Sequence, residues 1–267
     1  MNPVVTWDIA SKWKNFHPPI RPSKDDLAVF EKYLQEKIKQ KGKSLKLLIL
    51  GSTPELRDLA KEHGIVPIVC DYSKENYDAL GMLCKKEGKE LFVNCDWREL
   101  HLPEPVDLVF CEASFNMVNK EDLRKVLSNA MKIISNNGLI VAKTWIRFAT
   151  TELSFDALVQ SYRKSYSDVP FLYAVPLLSF FYDEDQGSVQ KRHQRMKRYE
   201  QEGKITKEEF SSMEHHGYDH SPHKIYLLFE EELIKILKEY FTLTNIEWPK
   251  QIGMNKAPIM VMGKKGL

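Results

Sequence analysis

Five short apolar runs, set apart by segments of helical character, constrain this chain more than any other feature. They read LKLLILG (45–51), VPIVCD (66–71), ELFVNCD (90–96), VDLVFCE (106–112) and GLIVAKTW (138–145). Each is apolar through its middle instead of alternating, the pattern of a strand covered on both faces. Helical or crossover segments follow them: one to His63, one near Glu75 to Lys86, a loop, and one near Lys120 to Ile134. Parallel neighbours need such crossovers, so the expectation is a doubly wound α/β sheet.

The remaining elements complete that sheet and cover it. A helix near Glu230 to Tyr240 leads to FTLTNIEW and PIMVMGKK, two strands close enough in sequence to form an antiparallel hairpin at the sheet edge. The whole predicts a Rossmann-like, mostly parallel seven-stranded sheet with an antiparallel C-terminal hairpin. Residues 147 to 223 are too long for a plain connection after the fifth strand. They hold a helix near Glu152 to Tyr166, the aromatic stretch PFLYAVPLLSFFYDEDQ, a basic helix over 188–200, a capped turn at TKEEF and the loop EHHGYDHSPH. A helical, substrate-covering insertion is expected there. Ahead of the sheet, residues 1–44 form a leader with one helix around Trp7 to Phe16 and another from Lys24 to Lys41. Ser23 and Asp26 resemble a capping box, and Leu27, Phe30, Leu34 and Ile38 recur at helical spacing. The division is thus a leader, 1–44, that covers the cofactor site, and a domain, 45–267, carrying the insertion.

Composition excludes several classes. With 267 residues, 43% of them hydrophobic, the chain can bury a real core, and its formal net charge of +2 sets up no overall field toward nucleic acid or a membrane. MNPVVTWDIASKWKNF lacks an apolar core of signal-peptide length, and no run of about 18 apolar residues occurs, so a soluble cytoplasmic protein is expected. Cys70, Cys84, Cys95 and Cys111 stand singly, which reads as reduced thiols.

In open parallel sheets ligands bind beyond the carboxyl ends of the strands, so the residues at which the runs stop carry the chemistry. These are Gly51, Asp71, Asp96 and Glu112. Gly51 lets a ligand approach bare backbone. Thr53 suits a helix N-cap, Pro54 the first helical position, and Glu55 adds negative charge where the helix dipole favours it. A pyrophosphate would be repelled by that acid, so the ligand should lack phosphate. Asp71 lies 20 residues after Gly51, the spacing at which an acid accepts hydrogen bonds from ribose hydroxyls. Asp96 suits an exocyclic amine, and Trp97 offers its ring face to a base. An adenosine bearing a cationic centre near Glu55 or Glu112 meets these requirements, and S-adenosylmethionine meets them better than NAD.

With those residues in hand, the stretch from 45 to 146 resembles the class I S-adenosylmethionine-dependent methyltransferases. LILGSTPEL is similar to their first motif, with one glycine where the family shows E/D-x-G-x-G-x-G. The resemblance implies a Rossmann-like fold and S-adenosyl-L-methionine as cofactor. It would set Gly51, Ser52, Thr53 and Glu55 near the methionine part, Asp71 with Tyr72 at the ribose, and Asp96 with Trp97 around the adenine. CEASFNMV, with Glu112, Ser114 and Asn116, would lie beside the transferred methyl. The leader resembles a subset in which W…PPIRPS…D precedes the first strand, which brings Trp13 and Arg21 near the cofactor, with Arg21 pairing its carboxylate.

Methyl transfer is an in-line displacement that needs few catalytic side chains. Where the acceptor needs a base, the candidates are Glu112, Tyr182, Asp183 or a histidine of the insertion. His215, His216, His220 and His223 match no standard metal spacing, and no metal is expected. No N-P-P-Y segment follows the fourth strand and Cys111 lacks a preceding proline, which favours a small-molecule acceptor over a base of nucleic acid. Two alternatives stay open: an RNA or nucleotide methyltransferase that uses Lys191, Arg192, Arg195 and Arg198 of the basic helix, and a non-catalytic S-adenosylmethionine-binding protein. The oligomeric state has no signature in the sequence.

Overall fold

The computed structural model describes residues 12–18, 20–147, 155–165, 171, 189–215, 224–250 and 257–265. Helix α1 (Lys24–Lys41) starts where the capping box predicts: the Ser23 hydroxyl accepts from the Asp26 amide at 3.0 Å, and the Asp26 carboxylate accepts from the Ser23 amide at 2.7 Å. Strand β1 (Leu47–Leu50), helix α2 (Pro54–Glu62), β2 (Ile68–Asp71), helix α3 (Lys74–Gly81) and β3 (Leu91–Asn94) follow. Helix α3 is shorter than expected. The Asp58 carboxylate takes the amides of Lys85 and Lys86, so this stretch bonds to α2 instead of extending a helix. Next come β4 (Val106–Glu112), α4 (Lys120–Ile133), β5 (Ile134–Lys143) and the short β6 (Ile146–Arg147).

The insertion contributes α5 (Phe155–Ser165), α6 (Val189–Gln201) and α7 (Lys207–His215), the last capped by reciprocal bonds between Thr206 and Glu209. The chain returns through β7 (Leu228–Phe229) to α8 (Glu230–Tyr240), β8 (Phe241–Glu247) and β9 (Ile259–Lys264). Of the helix expected around Trp7 to Phe16, Lys12 and Trp13 are helical and the preceding residues lie outside the described ones.

The main sheet has seven strands in the order β3-β2-β1-β4-β5-β9-β8. The first five are mutually parallel, β9 runs antiparallel to β5, and β8 pairs antiparallel with β9, as the terminal hairpin predicts. Alternation along β1 shows why both faces are apolar. Leu47 and Ile49 join Phe30, Leu34, Leu56 and Ala60 under α1 and α2, whereas Leu48 and Leu50 join Val126, Leu127, Ile236 and Leu237 under α4 and α8. The edge strand β3 is half covered, with Leu91 exposed. The insertion has its own core, where Leu158, Val159, Phe171, Met196 and Met213 meet Trp145 and Ala113 of the sheet end. Among the described residues no helix is long and apolar enough to cross a membrane, and all four cysteines are free thiols.

Candidate functional site

Strand order reverses between β1 and β4, and their carboxyl ends carry Gly51 and Glu112 on either side of that switch point. Parallel register brings the neighbouring ends level: Leu50 faces Cys70 and Cys111, Asp71 faces Asn94, and Glu112 faces Lys143. Gly51 has φ of 97°, a left-handed conformation that a side chain would strain, and a Cβ there would sit 3.7 Å from the Trp97 ring. The indole of Trp97 donates to the Cys70 carbonyl at 2.9 Å, so its ring is fixed beside the glycine.

Asp71 is 7% exposed and receives the Ser52 hydroxyl at 2.7 Å on one oxygen and the Ser73 amide at 3.0 Å on the other. Burial pushes its carboxyl up, while the bonds from Ser73 and Ser52 pull it back. Two bonds leave further lone pairs on this carboxylate, as hydroxyl recognition requires. Tyr72 beside it is exposed.

Thr53 occupies the N-cap of α2, but its hydroxyl makes no capping bond, and Pro54 brings no N–H to the first turn. Glu55 does not cap either. Its Oε1 accepts from the Trp13 indole at 3.1 Å and from the Arg21 guanidinium at 2.5 and 3.0 Å, and Arg21 also donates to the Trp13 carbonyl. The leader thus closes directly onto the first turn of α2. Glu55 Oε2 is buried with no hydrogen-bond partner among the described residues. A buried carboxylate oxygen without a donor costs several kcal/mol unless a cationic or N–H group meets it.

The Lys143 ammonium, fully buried, lies 3.0 Å from both Glu112 and Asp26. Burial pushes the Glu112 carboxyl up to about 7; Lys143 opposes this, and Asp26 and Glu55 add to it. The strand pattern marks Lys143 only as the charge that closes an apolar run, and Asp26 reads in sequence only as a capping acid. The run of charges along the rim was therefore missed; the one available signal was a lysine at the end of an otherwise apolar strand.

Other predicted site residues serve the scaffold in the described geometry. Asp96 caps a short turn, and its bonds to Arg98 hold its carboxyl below the usual range; Arg98 also reaches Asp122. Ser114 donates to the Leu50 carbonyl at 2.7 Å. Asn116 is buried, donates to the carbonyls of Trp145 and Tyr226, and accepts from the Trp145 amide, so it joins the two roots of the insertion. Beside it, β6 and β7 pair in parallel. In the basic helix Arg192 and His193 are buried, with His193 against Glu214, so the helix does not present one continuous basic face. Tyr182, Asp183, His216, His220 and His223 lie outside the described residues, as does the His215 side chain. Among the described residues there is no cluster of metal-ligating side chains. A cavity of about 720 Å³ lies beside β6 and β7, lined by Lys120, Arg124, Arg147, Phe229 and the first turn of α8, and includes none of the predicted site residues.

A family model described as a methyltransferase domain matches residues 50–142, the span from the end of β1 to the end of β5. Over that span the chain resembles a methyltransferase domain, and its fold is the Rossmann-like fold of the class I S-adenosylmethionine-dependent methyltransferases. No curated protein matches this chain in sequence. Among solved structures it is similar to a protein of Pyrococcus horikoshii OT3, at 13% identity and a TM-score of 0.53 over 95% of this chain and 99% of that one. It is also similar to the N-methyltransferase NodS from Bradyrhizobium japonicum WM9 in complex with S-adenosyl-L-homocysteine, at 11% identity and 0.51 over 96% and 97%. A structure described as a putative Zn-dependent alcohol dehydrogenase from Rhodobacter sphaeroides aligns at 14% identity and 0.57 over 98% and 100%. At these identities the likenesses show the fold alone. The family's cofactor is S-adenosylmethionine.

Proposed function

We propose that this chain binds S-adenosylmethionine at the β1–β4 switch point and transfers its methyl group to an O or N atom of a small-molecule acceptor. The observation that carries the reading is the buried, donor-free Oε2 of Glu55 beside the bare backbone of Gly51. An ammonium group suits that oxygen and a phosphate does not. Asp71 would take the ribose hydroxyls, with Tyr72 alongside, and Gly51, Ser52 and Thr53 would line the methionine part. Trp13 and Arg21 would act through Glu55, since they already bond to it. Asp96 and Trp97 would border the adenine, and Ser114 and Asn116 would hold the segment next to the methyl. The leader, 1–44, would cover the cofactor and the segment 147–223 the acceptor.

When bound, S-adenosylmethionine supplies an electrophilic methyl on a sulfonium. The chain's own task is to hold the acceptor in line and exclude water. Glu112, held near neutrality by burial, is the described residue best suited to take a proton from an acceptor; Tyr182 and Asp183 remain proposals from sequence.

Titration calorimetry with S-adenosylmethionine, S-adenosylhomocysteine and NAD tests the binding step. Binding of the first two is expected, weakened about 10- to 100-fold by Glu55→Gln through loss of a charge-assisted bond. Binding of NAD without either sulfur ligand would refute the reading. Transfer of labelled methyl into metabolite pools, and not into RNA, is the expected outcome for the acceptor class.

A further inference from the structure

Lys143 ends β5 and is wholly buried, yet its ammonium reaches three separate parts of the chain. It lies 3.0 Å from Glu112 at the end of β4, 3.0 Å from Asp26 at the start of α1, and 3.5 Å from the backbone carbonyl of Arg21 in the leader. The Asp26 oxygen that meets Lys143 also accepts the Ser23 amide that begins α1. One ammonium therefore pins both the cap of the leader helix and the rim acid. The leader then delivers Arg21 to Glu55, so Glu112 and Glu55 are set by a common anchor.

We propose that Lys143 is a positioning residue that couples docking of the leader to the charge on Glu112 at the methyl site. A buried ammonium beside a carboxylate favours its ionised form, whereas Asp26, on the other side of the same ammonium, draws on that charge and repels Glu112. The charged groups that act on Glu112 are Lys143 of β5, Asp26 of α1 and, with the smallest effect, Glu55 of α2. Removing Lys143 and removing Asp26 must therefore move Glu112 in opposite directions, which mere loosening of the fold cannot do. The inference deepens the role given to Glu112 above and rests on that reading only for its catalytic meaning.

The test follows the Glu112 carboxyl by carbon-13 NMR in the ligand-free, full-length protein, with the resonance assigned by its loss in Glu112→Gln. In the unsubstituted protein the midpoint is expected near 7. Lys143→Met should raise it by about one pH unit or more, Asp26→Asn should lower it, and Lys143→Arg should leave it near its starting value. Amide exchange across residues 20–27 should quicken in Lys143→Met and stay unchanged in Lys46→Met, a variant of an exposed lysine paired with Glu104. A folded Lys143→Met with an unmoved midpoint, or a midpoint shifted the same way in Lys143→Met and Asp26→Asn, overturns the proposal. Should Lys143→Met not fold, an Asp26→Asn midpoint that fails to fall overturns it equally. Because no ligand is present, failure of the S-adenosylmethionine reading would show only in the calorimetry.

Discussion

Replacing Glu112 with glutamine should make the protein more stable at alkaline than at acid pH relative to the unsubstituted chain, although a buried ion pair is broken. The folded carboxyl titrates near 7, against an ordinary 4.5 in the unfolded chain. A carboxyl raised in this way contributes stability fully below pH 4.5 and loses it as pH climbs through 7. At about 1.4 kcal/mol per unit, the loss between pH 5 and pH 8 comes to roughly 2–3 kcal/mol, nearly all of it from removing the charge from water. Glutamine keeps the shape and a hydrogen-bonding oxygen for Lys143 but cannot ionise. Urea melts of both proteins at pH 5, 6, 7 and 8 measure the difference, in which other titrations cancel. The reasoning fails if the difference is the same at every pH, or if the variant loses ground as pH rises, because the first outcome means that Lys143 fully balances the burial of Glu112 and the second that it more than balances it.

Other consequences can be read from single residues. Phe30 is fully buried and meets Phe110 edge-on at 4.9 Å, so Phe30→Ala should cost about 3–5 kcal/mol in urea melts while leaving m unchanged. Gly51→Ala has room beside Trp97 but not the backbone freedom; it should lose about 1–3 kcal/mol and, in calorimetry, most of its affinity for S-adenosylhomocysteine. Asn116→Ala leaves the Trp145 amide without its acceptor, so hydrogen exchange at Trp145 should accelerate strongly while exchange in β1 stays slow.

What could be read from the sequence was whatever depends on neighbours along the chain. The apolar runs located β1 to β5 because a strand covered on both faces must be apolar throughout, and the pair Ser23 and Asp26 placed the first residue of α1 because a capping box spans only four residues. Contacts made at a distance left no such trace. Asn116 bonds to residues 29 and 110 positions away, and no local pattern distinguishes it from a turn asparagine. Lys143 meets Asp26 only because β5 and the start of α1 end at the same rim. Helix α3 was overestimated for the same reason, since Asp58 of α2 claims the amides that would have continued it. Glu55 was read correctly as an acid at a helix start, but its burial under Trp13 and Arg21 depends on where the leader folds.

The charges along the rim suggest why a turn with one glycine suffices. Asp26, Glu55 and Glu112 are buried or nearly so, and Lys143 and Arg21 are the cations that meet them. With Glu112 ionised this group carries one negative charge in excess, which a buried site holds only at a cost. Protonation of Glu112 removes the excess, and so does a bound cation at Glu55 Oε2. The two are alternatives, so a cationic ligand should bind most readily where Glu112 has lost its proton, and its arrival should in turn drive that proton off. A glycine-rich loop cradles phosphate with several backbone amides; in the proposed reading recognition would fall to carboxylates, and the backbone would only have to stay out of the way at Gly51.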